Sequence, residues 1–382
     1  MSSTKKIRVA QIIGLVAEGG VESCIMNYYK NIDRDKVQFD FFIEEGAVSK
    51  IIIPEKIKSM GGRVIYIPKL KNILLNDRKL VKLLKAGEYD IVHANKTTLN
   101  CFYLKAAKKA GIKIRISHAH STTNKKEFFR NLVKNFLKFF SKKYATNYFA
   151  CSEYAGLWLF GNKAFDDGKV AVINNAIDLA RYKFEPEIRS EIRNELGVEK
   201  KFVVGHVGRF MKQKNHMFLL DVFYEIQKRK PDSVLLLIGD GPLHEKITER
   251  AKTLGVEAKV VFCGVHKHPE RYYQAMDVFL LPSLYEGLGM VLIEAQVNGL
   301  HCFASTEVPI ESKILDSTSY FDLKLGADAW AQEINVFSET TMPEKYEEER
   351  KSAYKNFIGL KYDIKSEAQK LLSRYEEMMN GK

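Results

Sequence analysis

The chain has 382 residues, 46% of them hydrophobic and 28% charged, with a formal net charge of +13. That length is too great for one compact core and fits two domains, and the composition is that of a globular protein. No apolar run approaches the roughly eighteen residues a helix needs to span a bilayer, and nucleic acid, an anionic membrane surface and phosphorylated substrates all fit the positive charge.

The N-terminus passes from two lysines straight into a strand pattern, with no secretory core or cleavage site expected. Cys24, Cys101, Cys151, Cys263 and Cys302 are odd in number, widely spaced and without a C-x-x-C pair. They read as reduced, mostly buried thiols of a cytoplasmic protein.

A first strand is predicted over 7–13, then the loop G-L-V-A-E-G-G-V-E and a helix from about Val21 with apolar positions Val21, Ile25, Tyr28 and Ile32. Gly19 and Gly20 close that loop at the helix start, an anion-friendly turn at the C-terminal edge of a sheet. Asp33 and Asp35 have the spacing of a metal-binding D-x-D, but their place between helix and strand fits a solvent turn better. Strands then recur near 37–43, 63–67, 90–94 and 113–117 with helical patterns between, as parallel βαβ units require.

His118 and His120 fall at or just beyond the end of the fifth strand. Spaced two apart on a strand, they share a face, yet no nearby Cys, Asp or Glu completes a metal-ligand set. Each is either a structural histidine or a group at the mouth of a cleft, near a reacting hydroxyl or a donor sugar. Residues 125–144 follow as a helix with Phe128, Phe129, Leu132, Val133, Phe136, Leu137 and Phe140 on one stripe. Lys125, Lys126, Arg130, Lys134, Lys138, Lys142 and Lys143 oppose the single acid Glu127. The stripe either enters the core or lies on an anionic bilayer. Its aromatics keep helical spacing and no nucleic-acid-binding motif surrounds them, so no nucleic-acid partner is expected.

Strands over 148–151 and 170–173 complete a first domain, residues 1–178. The polar, charged residues 179–200 read as an interdomain linker, residues 201–358 as a second domain, and residues 359–382 as a C-terminal helix packing back toward the first. In the second domain a strand over 202–207 leads into G-R-F-M-K-Q-K-N-H. Arg209 and Lys214, at that strand's C-terminal end, can neutralise a diphosphate leaving group without a metal ion. Gly239, and Gly264 with Val265, follow two further strands at turns that permit close approach of a ligand or serve only as turns.

The most informative stretch is V-F-L-L-P-S-L-Y-E-G-L-G-M-V-L-I-E, residues 278–294. It reads as a buried strand, a Gly-rich loop carrying Glu286, and a helix opening near Gly289. The amides of Gly289, Met290 and Val291 would face a phosphate with the positive end of the helix dipole behind them. Glu294, one turn below Met290, suits ribose hydroxyls, and Glu286 points to the other end of the same ligand.

These segments, with H-A-H-S at 118–121, I-N-N-A-I-D at 173–178 and G-D-G-P at 239–242, together resemble glycosyltransferase family 4. The resemblance implies an α/β chain of GT-B architecture, two Rossmann-like parallel-sheet domains facing a central cleft. It implies retaining, metal-independent sugar transfer in which Arg209 and Lys214 bind the nucleotide-sugar diphosphate, and the leaving phosphate accepts the acceptor's proton. By the same resemblance Glu294 holds the ribose, Glu286 the donor-sugar hydroxyls, Met290 and Val291 give amides to phosphate, and Val265 lies against the base. His120 would touch the donor sugar, with His118 in reserve. Asn215 and Ala176 stand where the family often has glycine. The wording at 286–296 looks most like bacterial exopolysaccharide and capsule transferases. The expected partners are therefore a nucleotide-sugar donor, taken as a UDP-sugar, and a saccharide or lipid-linked saccharide, with no separate cofactor. The expected location is the cytoplasm, peripheral on the inner membrane face. A nucleotide-sugar 2-epimerase of the same shape and a non-catalytic membrane-surface binding protein are the alternatives. No G-x-G-x-x-G follows the first strand, which disfavours a dehydrogenase.

Overall fold

The structure is a computed structural model and describes residues 6–14, 20–47, 49, 51–120 and 128–381. Two compact units divide it: Met1–Ile177 with Lys361–Lys382, and Asp178–Leu360.

The first unit is built on a seven-stranded sheet ordered β3-β2-β1-β4-β5-β6-β7. Its strands are β1 (Ile7–Gly14), β2 (Val37–Glu44), β3 (Val64–Ile67), β4 (Ile91–Ala94), β5 (Ile114–Ala119), β6 (Asn147–Ala150) and β7 (Val170–Val172). Every neighbouring pair is parallel. A parallel sheet is covered on both faces, so its strands are continuous apolar runs; β2 (V-Q-F-D-F-F-I-E) is buried at every position. Polar exceptions are paired: the buried Asp40 carboxylate accepts from Arg8, Arg63 and Tyr89. The helix Ile364–Met379 belongs to this unit, with Ile364, Ala368, Leu371, Leu372 and Tyr375 in its core beside Phe39 and Phe41.

The second unit carries six strands ordered β10-β9-β8-β11-β12-β13, all parallel. They are β8 (Phe202–Val207), β9 (Ser233–Ile238), β10 (Val260–Gly264), β11 (Val278–Leu281), β12 (His301–Ser305) and β13 (Thr318–Phe321). Both sheets reverse direction of growth between their first and fourth strands. In doubly wound sheets that switch point, at the C-terminal strand edge, is where ligands bind.

Residues 179–200, expected as a linker, are instead a folded part of the second unit. Helices Leu179–Tyr182 and Pro186–Glu195 form there. The charges that made this segment look solvated are paired: Arg189 and Arg193 both reach Asp277, and Arg181 reaches Glu270. The second unit runs to Leu360, and the C-terminal return to the first unit begins at Lys361.

Candidate active site

At the switch point of the second sheet, the loops after β8 and β11 meet. Lys214 closes a short 3-10 turn (Lys212–Lys214), and Asn215 follows in the left-handed conformation at φ 55° before helix His216–Arg229 begins. Glycine adopts that conformation freely and Asn is among the side chains that tolerate it, which accounts for the exchange at this position. Lys214 Nζ lies 2.7 Å from Glu286 Oε1. Glu286 also accepts from Ser283 Oγ at 2.7 Å and from Gln213 Nε2 at 3.2 Å. Lys214, expected on the diphosphate, and Glu286, expected on the donor sugar, therefore form an ion pair with each other. Arg209 is exposed and its guanidinium has no ion-pair partner among the described residues.

Gly289 caps the helix Met290–Val297 at φ 78°, where a side chain would be strained and would crowd Val308. The amides of Met290 and Val291 open that helix with no hydrogen-bond partner among the described residues, as the first turn of an α-helix requires. Glu294 sits one turn below, half-buried. Tyr273 donates to its Oε2 at 2.7 Å. Burial pushes its pKa up to about 7, against the opposing hydrogen bonds from Tyr273 and Tyr182 and the nearby Arg181.

Tyr182, Tyr273, Arg181 and Glu270 escaped the sequence reading because they come from the supposed linker and from the helix Glu270–Ala275. Their only sequence signal was an Arg-Tyr pair in a segment too polar to look structural. Behind Lys214, His206 and His216 are buried with ring centroids 4.8 Å apart. Burial, with Lys214 nearby, holds the pKa of His216 down at about 4 and that of His206 well below the usual range.

Gly239 has a packing role of its own. A Cβ there would stand 2.1 Å from the Gly208 carbonyl oxygen, so the missing side chain lets two loops of the unit pack together. Gly264 takes φ 70° in open space, and its carbonyl accepts from the Gly239 amide at 2.8 Å. Val265 follows, 79% exposed.

In the first unit, Gly20 opens the helix Gly20–Asn31, and Gly19 lies outside the described residues. β5 continues through Ala119, so His118 lies within the strand, 3% exposed, and His120 just beyond it, half-buried. Their rings stand 3.8 Å apart. His118 Nδ1 is 2.9 Å from Nε2 of His93, a residue of β4 that the sequence reading passed over. His120 Nε2 is 3.0 Å from Asn95 Oδ1. Burial holds all three imidazoles neutral, with His93 and His120 down at about 3 and His118 well below the usual range.

The helix Phe128–Tyr144 is held by its Ser141 side, whose hydroxyl donates to the Thr98 carbonyl at 2.8 Å. Val133, Phe136 and Phe139 are 58%, 67% and 62% exposed, so this part of the apolar surface is not in the core. Lys138 stands over the Trp158 ring at 4.1 Å. Lys125, Lys126 and Glu127 lie outside the described residues, as do the side chains of Phe128, Phe129, Arg130 and Leu132. Asp33 Oδ1 accepts from the Asp35 amide at 2.9 Å, closing the solvent turn expected there. No group of three or more metal-ligating side chains occurs among the described residues, and no helix among them is long and apolar enough to cross a membrane.

Two parallel doubly wound sheets, each in its own unit, are the architecture shared with solved glycosyltransferases. Residues 18–181 match the family model described as Glycosyltransferase Family 4, and residues 188–356 that described as Glycosyl transferases group 1. The chain belongs to this family of glycosyltransferases. It is 34% identical over 322 residues to the putative glycosyltransferase EpsF of Bacillus subtilis, covering 81% of each chain. It is 27% identical over 320 residues to an Escherichia coli UDP-Gal:alpha-D-GlcNAc-diphosphoundecaprenol alpha-1,3-galactosyltransferase, covering 80% of each. The crystal structure of Anabaena Alr3699/HepE in complex with UDP matches with a TM-score of 0.77 at 21% identity, over 97% of this chain and 100% of that one. That likeness establishes the fold, GT-B.

Proposed function

We propose that this chain transfers a sugar, with retention, from a UDP-sugar to a lipid-linked saccharide in the synthesis of a cell-surface polysaccharide, without a metal ion. The observation that carries this reading is that the loops after β8 and β11 meet at the second sheet's switch point, where the Leu284 amide donates to the Gln213 carbonyl and Lys214 lies 2.7 Å from Glu286; Arg209 lies on the first of these loops, and the helix opening at Met290, with Glu294 one turn below, follows the second. Two cations and a helix N-terminus supply the charge stabilisation that a leaving diphosphate needs, and a carboxylate below them suits the ribose. Lys214 would exchange Glu286 for phosphate when the donor arrives, freeing Glu286 for the sugar's hydroxyls. His120 and His118, neutral and polar, would contact a sugar hydroxyl by hydrogen bonding rather than by charge.

UDP as the nucleotide is supported by the UDP-bound Anabaena protein, and the lipid-linked acceptor by the E. coli relative. Retention rests on the family resemblance. The exposed Val133, Phe136 and Phe139 beside the helix's lysines support a peripheral site on an anionic membrane. The test is incubation with a panel of UDP-sugars and undecaprenyl-diphosphate saccharides in chelator. Acceptor-dependent transfer giving an α-linked product from an α-linked donor is expected. An isomerised sugar with free UDP and no acceptor requirement would indicate the epimerase instead, and UDP that fails to bind would remove the reading.

A further inference from the structure

We propose that Asn95, Gln11, Tyr375 and His93 are positioning residues: a one-directional chain of hydrogen bonds that sets which nitrogen of His118 and of His120 carries the proton. The direction is fixed by a single backbone group. Asn95 Nδ2 lies 3.1 Å from the His93 carbonyl, which can only accept, so this atom is the amide nitrogen and Oδ1 is the atom facing His120. His120 therefore donates from Nε2, and its Nδ1 is left as an acceptor with no partner among the described residues.

The same Asn95 nitrogen donates to Gln11 Oε1 at 3.0 Å. That turns Gln11 Nε2 toward the Tyr375 hydroxyl, 3.3 Å away. Tyr375 is fully buried, and its hydroxyl proton has one remaining acceptor, His93 Nδ1 at 2.8 Å. His93 must then carry its proton on Nε2 and donate to His118 Nδ1. His118, in turn, is protonated on Nε2. That atom is buried and has no partner among the described residues. A buried donor left unmade is costly, so a sugar hydroxyl that reaches this pair would find an N–H on His118 and an acceptor nitrogen on His120. The helix carrying Tyr375, some 280 residues from His93 in sequence, is thereby wired to the end of β5.

Because every link depends on the one before, a single change at the start should reverse the whole chain. Asn95→Asp replaces the donating nitrogen by an oxygen, so Gln11 must turn to donate to the carboxylate. Tyr375 then donates to Gln11, His93 donates from Nδ1 to Tyr375, and His118 donates from Nδ1 to His93. Two-bond ¹H–¹⁵N correlation spectra of histidine-labelled full-length protein read the tautomers directly, without substrate. Wild type is expected to show Nε2–H on His93, His118 and His120. Asn95→Asp is expected to switch His93 and His118 to Nδ1–H, and Asn95→Asp combined with Tyr375→Phe is expected to leave both tautomers populated, because without the hydroxyl nothing favours either direction of the His93–His118 bond. An Nδ1–H signal for His93 or His118 in wild type, or an unswitched Asn95→Asp, overturns the proposal, and the wild-type spectrum suffices if that variant does not fold.

The use of these nitrogens rests on the glycosyltransfer reading, and the two fail separately. Loss of the His118 donor should lower kcat/KM by roughly tenfold, the scale of one hydrogen bond. Switched tautomers with unchanged kcat/KM would support the chain and remove the sugar contact.

Discussion

Lys214 and Glu286 offer a test that separates holding the loop together from binding the donor. Their side chains are 15% and 7% exposed and 2.7 Å apart. Truncating one member of a fully buried ion pair costs roughly 3–5 kcal/mol, and of an exposed pair about 0–1 kcal/mol. Lys214→Met leaves Glu286 still accepting from Ser283 and Gln213, so about 2–3 kcal/mol is expected. Adding Glu286→Gln removes the stranded charge and should recover about 1–2 kcal/mol of that loss. Transfer should not follow stability. If Lys214 meets the diphosphate as it leaves, Lys214→Met lowers kcat by about 100- to 1,000-fold, and the double variant stays as low. The assay is a double-mutant cycle, with denaturant unfolding for stability and steady-state transfer for function. Recovery of transfer together with stability in the double variant would show that Lys214 acts only by neutralising Glu286, and the diphosphate assignment would be refuted.

If Glu294 holds the ribose, donor binding should depend on pH. A carboxyl with a raised pKa contributes stability that is fully present below the ordinary glutamate range and is lost as pH rises through about 7. Ribose hydroxyls prefer the ionised acceptor, so UDP affinity should rise with pH through the same region, by up to about tenfold per pH unit on the acid side; titration calorimetry checks this, and Glu294→Gln should flatten the profile. Gly239→Ala, with φ 135° and a Cβ 2.1 Å from the Gly208 carbonyl, should destabilise the protein by about 1–3 kcal/mol in denaturant unfolding; a neutral effect would mean the loops are not packed as described. Phe136→Ser with Phe139→Ser should release the protein from vesicles containing anionic lipid in a pelleting assay while leaving its unfolding midpoint nearly unchanged, since both rings are exposed. Unaltered pelleting would exclude this helix as the membrane contact.

The sequence by itself determined the alternation of strands and helices, the helix opening at Gly289, and the cations and glutamates after β8 and β11, because each is encoded within one short stretch. Hydrophobic period and turn residues act over a few positions, and a strand-to-helix junction is a local event. Three things were decided only by tertiary structure. Residues 179–200 looked like a linker because their charges are numerous, and only folding brings Asp277 and Glu270 to the arginines that make them structural. The helix at Phe128–Tyr144 has a strong apolar stripe, but which of its rings meet the core depends on the helix docking by Ser141, leaving Phe136 and Phe139 outside. The histidines at the end of β5 were visible, whereas their partners His93, Asn95, Gln11 and Tyr375 come from β4, the loop after it, β1 and the C-terminal helix. A hydrogen bond reaches about 3 Å, so groups scattered along the whole chain become one network only when the sheet and its returning helix set them side by side.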